Sequence, residues 1–168
     1  MEATLDELLP KLGLDGSQIQ IVTHQGKSDL DASWRRKLPV WNTPNTRFLI
    51  LRDNDGGDCI ALKSALRKVA ENCGKADIAT VRIVCQELEA WFLGDRNALV
   101  NAGYLSENRN PRELRDPDSH MKPSEILSRW KKGHQKVAGA REIAKHMDPL
   151  ENTSVSFGHA INSIRYGI

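Results

Sequence analysis

A chain of 168 residues, 39% hydrophobic and 27% charged, suits one globular domain able to bury its own core. No apolar run approaches the roughly 18 residues of a membrane span. The acidic, amphipathic start MEATLDELLPKLG lacks the basic head and apolar stretch of a signal peptide, so a cytoplasmic protein is expected. Cys59, Cys73 and Cys85 show no CxxC spacing, which reads as reduced thiols and argues against zinc. The net charge of +2 does not announce a polyanion binder, but from Lys122 to Lys145 seven basic residues face only Glu125 and Glu142.

In chain order, Ala3 to Leu12 places Leu5, Leu8, Leu9 and Leu12 at helical spacing, with Gly13 and Gly16 to stop the helix. QIQIV, Gln18 to Val22, alternates polar and apolar and predicts a strand. HQGKSDLD is a loop in which Ser28 and Asp31 resemble a capping box for a helix over Asp29 to Leu38. The proline-punctuated PVWNTPNT leads to a strand at Phe48 to Leu51. Asp58 then caps a helix from Cys59 to Asn72, with Ile60, Leu62, Leu66 and Val69 toward the core.

ATVRIVC predicts a further strand, with Val81, Ile83 and Cys85 on one side. QELEAWFLGD is a short helix leaving that strand's end, Gly94 breaks it, and RNALVNAG adds another turn or two. Residues 103–122 are polar, proline-containing and aperiodic, as in an exposed or mobile loop. Pro123 opens a helix through Trp130, QKVAGAREIAKHM forms another, and Ser154 begins the last. The expected architecture is a single α/β domain: a mainly parallel sheet flanked by helices (1–102), a polar loop (103–122) and a helical C-terminal extension (123–168).

Ligands of such sheets sit beyond the carboxyl ends of the strands, where RFLILRDNDGGDC places three aspartates. Asp53 and Asp55 are two apart and point the same way from an extended segment. Two converging carboxylates repel unless a cation neutralises them, and this donor set suits Mg²⁺ or Mn²⁺. A plain turn needs only Asp58 as a helix cap. An EF-hand fits poorly, because Gly57 and Ser64 stand at ligand positions and a strand precedes the loop. A dehalogenase-type phosphatase with Asp53 as nucleophile and a Toprim site both use DxD at a strand end.

HQGKSDL, RFLILRDNDGGDCIALKSAL, VRIVCQELEAWFLGD, KPSEIL and KVAGAREIA occur in that order. Together they resemble an uncharacterised bacterial Toprim-like family (domain of unknown function family 4276), related to nucleases of the overcoming-lysogenization-defect type. The resemblance implies a Toprim-like fold in which Asp53 and Asp55 bind Mg²⁺ (or Mn²⁺). Glu87 and Glu89 match an acidic motif that adds a ligand or a catalytic base. On a helix these two are about 200° apart, so one of them is expected to face the site. Lys27 in QGKSD and Lys136 in the K..GA segment are the candidate substrate contacts, with Gly139 and Ala140 permitting close helix packing. His24, His134, His146 and His159 have no ligand-like spacing.

The family pattern begins with a strand and a glutamate-bearing loop before the first helix, whereas this sequence starts almost on that helix. The first Toprim carboxylate is therefore expected to be absent here, through a shortened chain, a misplaced start or a degenerate member, with Glu2 the only nearby acid. The implied activity is Mg²⁺-dependent phosphodiester cleavage of nucleic acid, in bacterial defence alongside a partner protein. The alternatives are a non-catalytic binding or assembly subunit, and a phosphatase forming an aspartyl-phosphate at Asp53.

Overall fold

Residues 1–14 and 16–167 are described by a computed structural model. Helix α1 (Glu2–Leu8) gives way at Pro10 to a 3₁₀ turn over Pro10–Leu12, so the expected continuous helix to Leu12 is broken. Proline lacks the N–H that would continue the α-helical ladder. Leu5, Leu8 and Leu9 are nonetheless buried. Gln18–Val22 is not a strand but irregular chain. Its alternation is present, yet a strand exists through its ladder, and the sheet among the described residues contains only two other segments.

Helix α2 (Lys27–Val40) starts two residues before the expected Asp29. Its N-cap is Gly26 at φ 95°, a conformation open to glycine, and no Ser28 capping box forms. Asp29 Oδ2 instead accepts a hydrogen bond from Gln25 N at 3.0 Å. Strand β1 (Phe48–Asp53) carries the aspartate pair at and just past its end. Asp58 caps α3 (Cys59–Asn72), accepting from Ile60 N and Ala61 N at 2.8 and 3.1 Å. Leu66 and Ala70 bury, whereas Ile60 is 83% exposed rather than core-facing. Six residues at 100° each leave it about 120° away from Leu66 around the helix.

Strand β2 (Ala79–Val84) pairs in parallel with β1, from Phe48 opposite Ala79 to Asp53 opposite Val84. Cys85 falls beyond the strand, in the turn that follows. Among the described residues five α-helices follow: α4 (Glu89–Leu93), α5 (Arg96–Asn101), α6 (Pro123–Trp130), α7 (Lys136–His146) and α8 (Val155–Tyr166). Pro123 occupies the first turn of α6, and Ser154 Oγ caps α8 by accepting from Phe157 N at 3.1 Å.

Both faces of the small sheet are covered, giving a mixed α/β fold. Helices α2 and α3 cover one face through Trp34, Leu38, Leu66 and Ala70 against Ile50 and Val81. On the other, Val84 joins a larger cluster of α1 and the later helices, with Leu8, Trp91, Phe92, Leu99, Leu127, Ile143 and Phe157 wholly enclosed. Trp91 and Phe157 meet edge to face at 5.2 Å, and Trp91 Nε1 donates to Ser156 Oγ at 3.0 Å.

The polar segment 103–122 is anchored rather than loose. Tyr104 and Leu105 are buried, and the Asp118 carboxylate accepts from Ser154 Oγ, Ser156 N and Ser156 Oγ at 2.8–2.9 Å. Its polarity is spent on contacts 36–38 residues away, which periodicity cannot register. Among the described residues no helix is long and apolar enough to cross a membrane.

Candidate functional site

Parallel pairing brings the carboxyl ends of β1 and β2 side by side, and the turns beyond them are laced together. Asn54 N donates to Val84 O at 3.2 Å, Asp55 N to Gln86 O at 3.0 Å, and Gly56 N to Gln86 Oε1 at 2.9 Å. Asn54, only 5% exposed, bonds back: its Oδ1 accepts from Gln86 N, and its Nδ2 donates to Gly57 O and Cys59 Sγ at 3.0 Å. Asp55 (φ 47°) and Gln86 (φ 60°) both hold left-handed backbone, at roughly 1 kcal/mol each. The lacing offsets that cost. A Cβ on Gly57 would stand 2.9 Å from Asn54 O, so the turn requires glycine there.

The carboxylates gather on this frame. Burial pushes the Asp53 carboxyl up to about 6, and the charges of Asp55, Glu89 and Glu87 push in the same direction. Its Oδ1 is enclosed and has no hydrogen-bond partner among the described residues. Glu89, 7% exposed, is also raised by burial, with Lys136 opposing. Lys136 Nζ lies 3.9 Å from both Glu87 Oε1 and Glu89 Oε1, and Lys27 Nζ lies 3.3 Å from Asp55 Oδ2.

The structure therefore brings Asp53, Asp55, Glu87, Glu89, Lys27 and Lys136 to one mouth. The expectation that only one glutamate faces it does not hold. Helix α4 begins at Glu89, so Glu87 precedes it and the 200° separation does not apply. Glu87 instead reaches α6, where its Oε2 accepts from Ser124 N at 2.9 Å. Asp58 stands apart as a helix cap.

Close packing at Gly139 is real: a Cβ there would lie 2.5 Å from both His134 Nδ1 and Tyr104 OH. Those two atoms are themselves hydrogen-bonded at 2.7 Å, a partnership for His134 that its sequence spacing did not signal. Asn54, Gln86 and Ser124 were also missed. For Asn54 a signal existed, since a short amide between two aspartates in a turn tends to bond its own backbone.

Among the described residues no three His, Cys, Asp or Glu side chains converge closely enough to hold one ion between them. Magnesium is commonly held by one or two carboxylates, with waters and phosphate oxygens completing its shell. Asp53, with its partnerless oxygen and three acidic neighbours, fits that requirement.

Fold and site together define an α/β domain whose paired strand ends form a carboxylate-rich, lysine-flanked mouth. The chain belongs to the family described as Domain of unknown function (DUF4276), which matches residues 1–165. No curated protein and no solved structure matches it.

Proposed function

We propose that this chain is a Toprim-like, Mg²⁺- or Mn²⁺-dependent enzyme that cleaves phosphodiesters of nucleic acid, working with a partner protein in bacterial defence. The observation that carries this reading is Asp53: an enclosed carboxyl with an unpartnered oxygen, pushed up to about 6, at the junction of two strand ends. Like charges this close favour a cation. Asp53 and Asp55 would hold the ion, which when bound supplies positive charge to the phosphate and acidifies a water. Glu89, raised by burial, suits a proton acceptor. Lys27 and Lys136 would exchange their carboxylate partners for phosphate oxygens, and the basic residues of α6 and α7 would hold the rest of the polyanion.

Titration calorimetry with Mn²⁺, paired with a cleavage assay on plasmid DNA and single-stranded RNA, tests the reading. The wild type is expected to bind Mn²⁺ below millimolar concentration and to cleave, and Asp53→Asn to do neither. Undiminished cleavage by Asp53→Asn would sink the mechanism.

A second reading, a non-catalytic binding or assembly subunit, is favoured by Lys136 sitting against both glutamates, where its charge offsets theirs without a metal. Polyanion binding without any Mn²⁺ heat at millimolar metal would select it. Aspartyl-phosphate trapped at Asp53 would instead mark a phosphatase.

A further inference from the structure

Strand β1 occupies one edge of β2, and the other edge opens into a groove. A cleft of about 970 Å³ borders Arg82, Ile83 and Cys85, and a second of about 300 Å³ borders Ala79 to Arg82. The residues common to both are Lys63, Arg67 and Arg82, so the groove follows the whole strand and its middle is cationic. Helix α3 supplies one wall and the start of α8 the other. Apart from Asn54 N donating to Val84 O, β2 makes no backbone hydrogen bond outside its ladder and its 3₁₀ entry among the described residues. An open strand edge of this kind is a template for another strand.

We propose that this edge docks an extended, acidic peptide segment of a partner protein, which adds beside β2 as a third strand. Charge is the first argument. The side chains of Lys63 and Arg67 make no hydrogen bond or ion pair among the described residues, and Arg82 bonds only the neutral Ser163 hydroxyl, at 2.7 Å. Glu71, Asp77 and Asp116 also line the groove, but no ion pair ties them to these cations. Asp118 is already engaged by Ser154 and Ser156.

Apolar surface is the second argument. Ile60 on α3 is 83% exposed and Val155 on α8 is 67% exposed, and both border the larger cleft. An occupant with an apolar residue there would cover them, while its acids meet the three cations. The third argument is negative: among the described residues no Phe, Tyr or Trp lines the groove, whereas single-stranded nucleic acid uses aromatic platforms for its bases. At about 3.3 Å per residue, the length of β2 accommodates roughly six residues of such a strand. This docking does not depend on the metal-site reading.

Panning a random dodecapeptide library over the immobilised full chain tests the proposal. Enriched peptides should be acidic and should carry an apolar residue. In fluorescence polarisation, the Lys63→Glu/Arg67→Glu double variant should bind them at least about tenfold more weakly, and Ile60→Asp should also weaken binding. Ile60 is too exposed for its replacement to disturb folding, so this variant keeps the test sound if the double variant misfolds. Hydrogen exchange with bound peptide should newly protect amides of β2. Neutral or basic consensus peptides, no enrichment, unchanged binding by both variants, or protection elsewhere would overturn it. So would β2 protection by oligo(dT) in place of peptide, which marks a nucleic-acid track, or protection that grows with protein concentration alone, which marks a second copy.

Discussion

Replacing Asp53 by asparagine should stabilise the folded chain while removing its proposed chemistry. The carboxyl rises from its ordinary 3.8 to about 6 on folding, so the folded state holds this proton more tightly than the unfolded one. Wild-type stability therefore falls as pH climbs from about 4 through 6, and the full penalty, about 3 kcal/mol, is present above about pH 7. An amide of the same shape escapes that penalty but brings its own unpaired group into the enclosed position, at about 1 kcal/mol. The net gain is about 2 kcal/mol at pH 8, or about 4–8 °C in Tm for a chain of this size. Urea unfolding of both proteins near pH 8 and near pH 4 measures it. The advantage should vanish at the lower pH, where the folded carboxyl is neutral and the unfolded one is only about half ionised, so little of the penalty remains. Millimolar Mn²⁺ near pH 8 should narrow the gap by stabilising only the wild type. An Asp53→Asn protein no more stable than wild type at pH 8, or equally favoured at both pH values, would refute the reasoning.

Asn54→Ala removes three side-chain links, one of which ties the two turns together, and should cost about 2–3 kcal/mol in urea unfolding, because Gln86 N loses its acceptor. Gly94→Ala drives a Cβ into Asn152 and to 2.8 Å from Ser154 N, and should lose about 1–3 kcal/mol by thermal melting. Asp118→Ala frees Ser154 and Ser156 from segment 103–122, so limited trypsin digestion should shift to Arg109, Arg112 and Arg115 at enzyme levels that spare the wild type. Lys136→Met leaves Glu87 and Glu89 without their lysine, and the Glu89 carboxyl should titrate higher by NMR.

What the sequence disclosed best was local. Asp58, Pro123 and Ser154 mark helix starts through bonds or backbone preferences within a few residues, and α3, α6 and α8 begin where those signals stand. Gln18–Val22 misled because a strand's identity depends on a neighbour that no local pattern reports. Glu87 misled because the onset of α4 is set by the turn at Gln86, whose left-handed backbone answers Asn54 across the sheet. The candidate site followed the same division. Its charged residues were visible from their types and spacing, but the amide lacing that brings them together joins positions 30 or more apart.

Helix α7 has a consequence for how disturbance travels. At its far end Lys11, from beyond α1, gathers the carbonyls of Ala144, Lys145 and Met147 at 2.7–2.9 Å. Its first residue is Lys136, poised against Glu87 and Glu89. The helix is thus a strut of about 16 Å, pinned at one end and carrying a charge into the carboxylate mouth at the other. Slack at Lys11 would reach the mouth as a displaced lysine, and cutting the chain between 102 and 123 would divide the strut from its anchor.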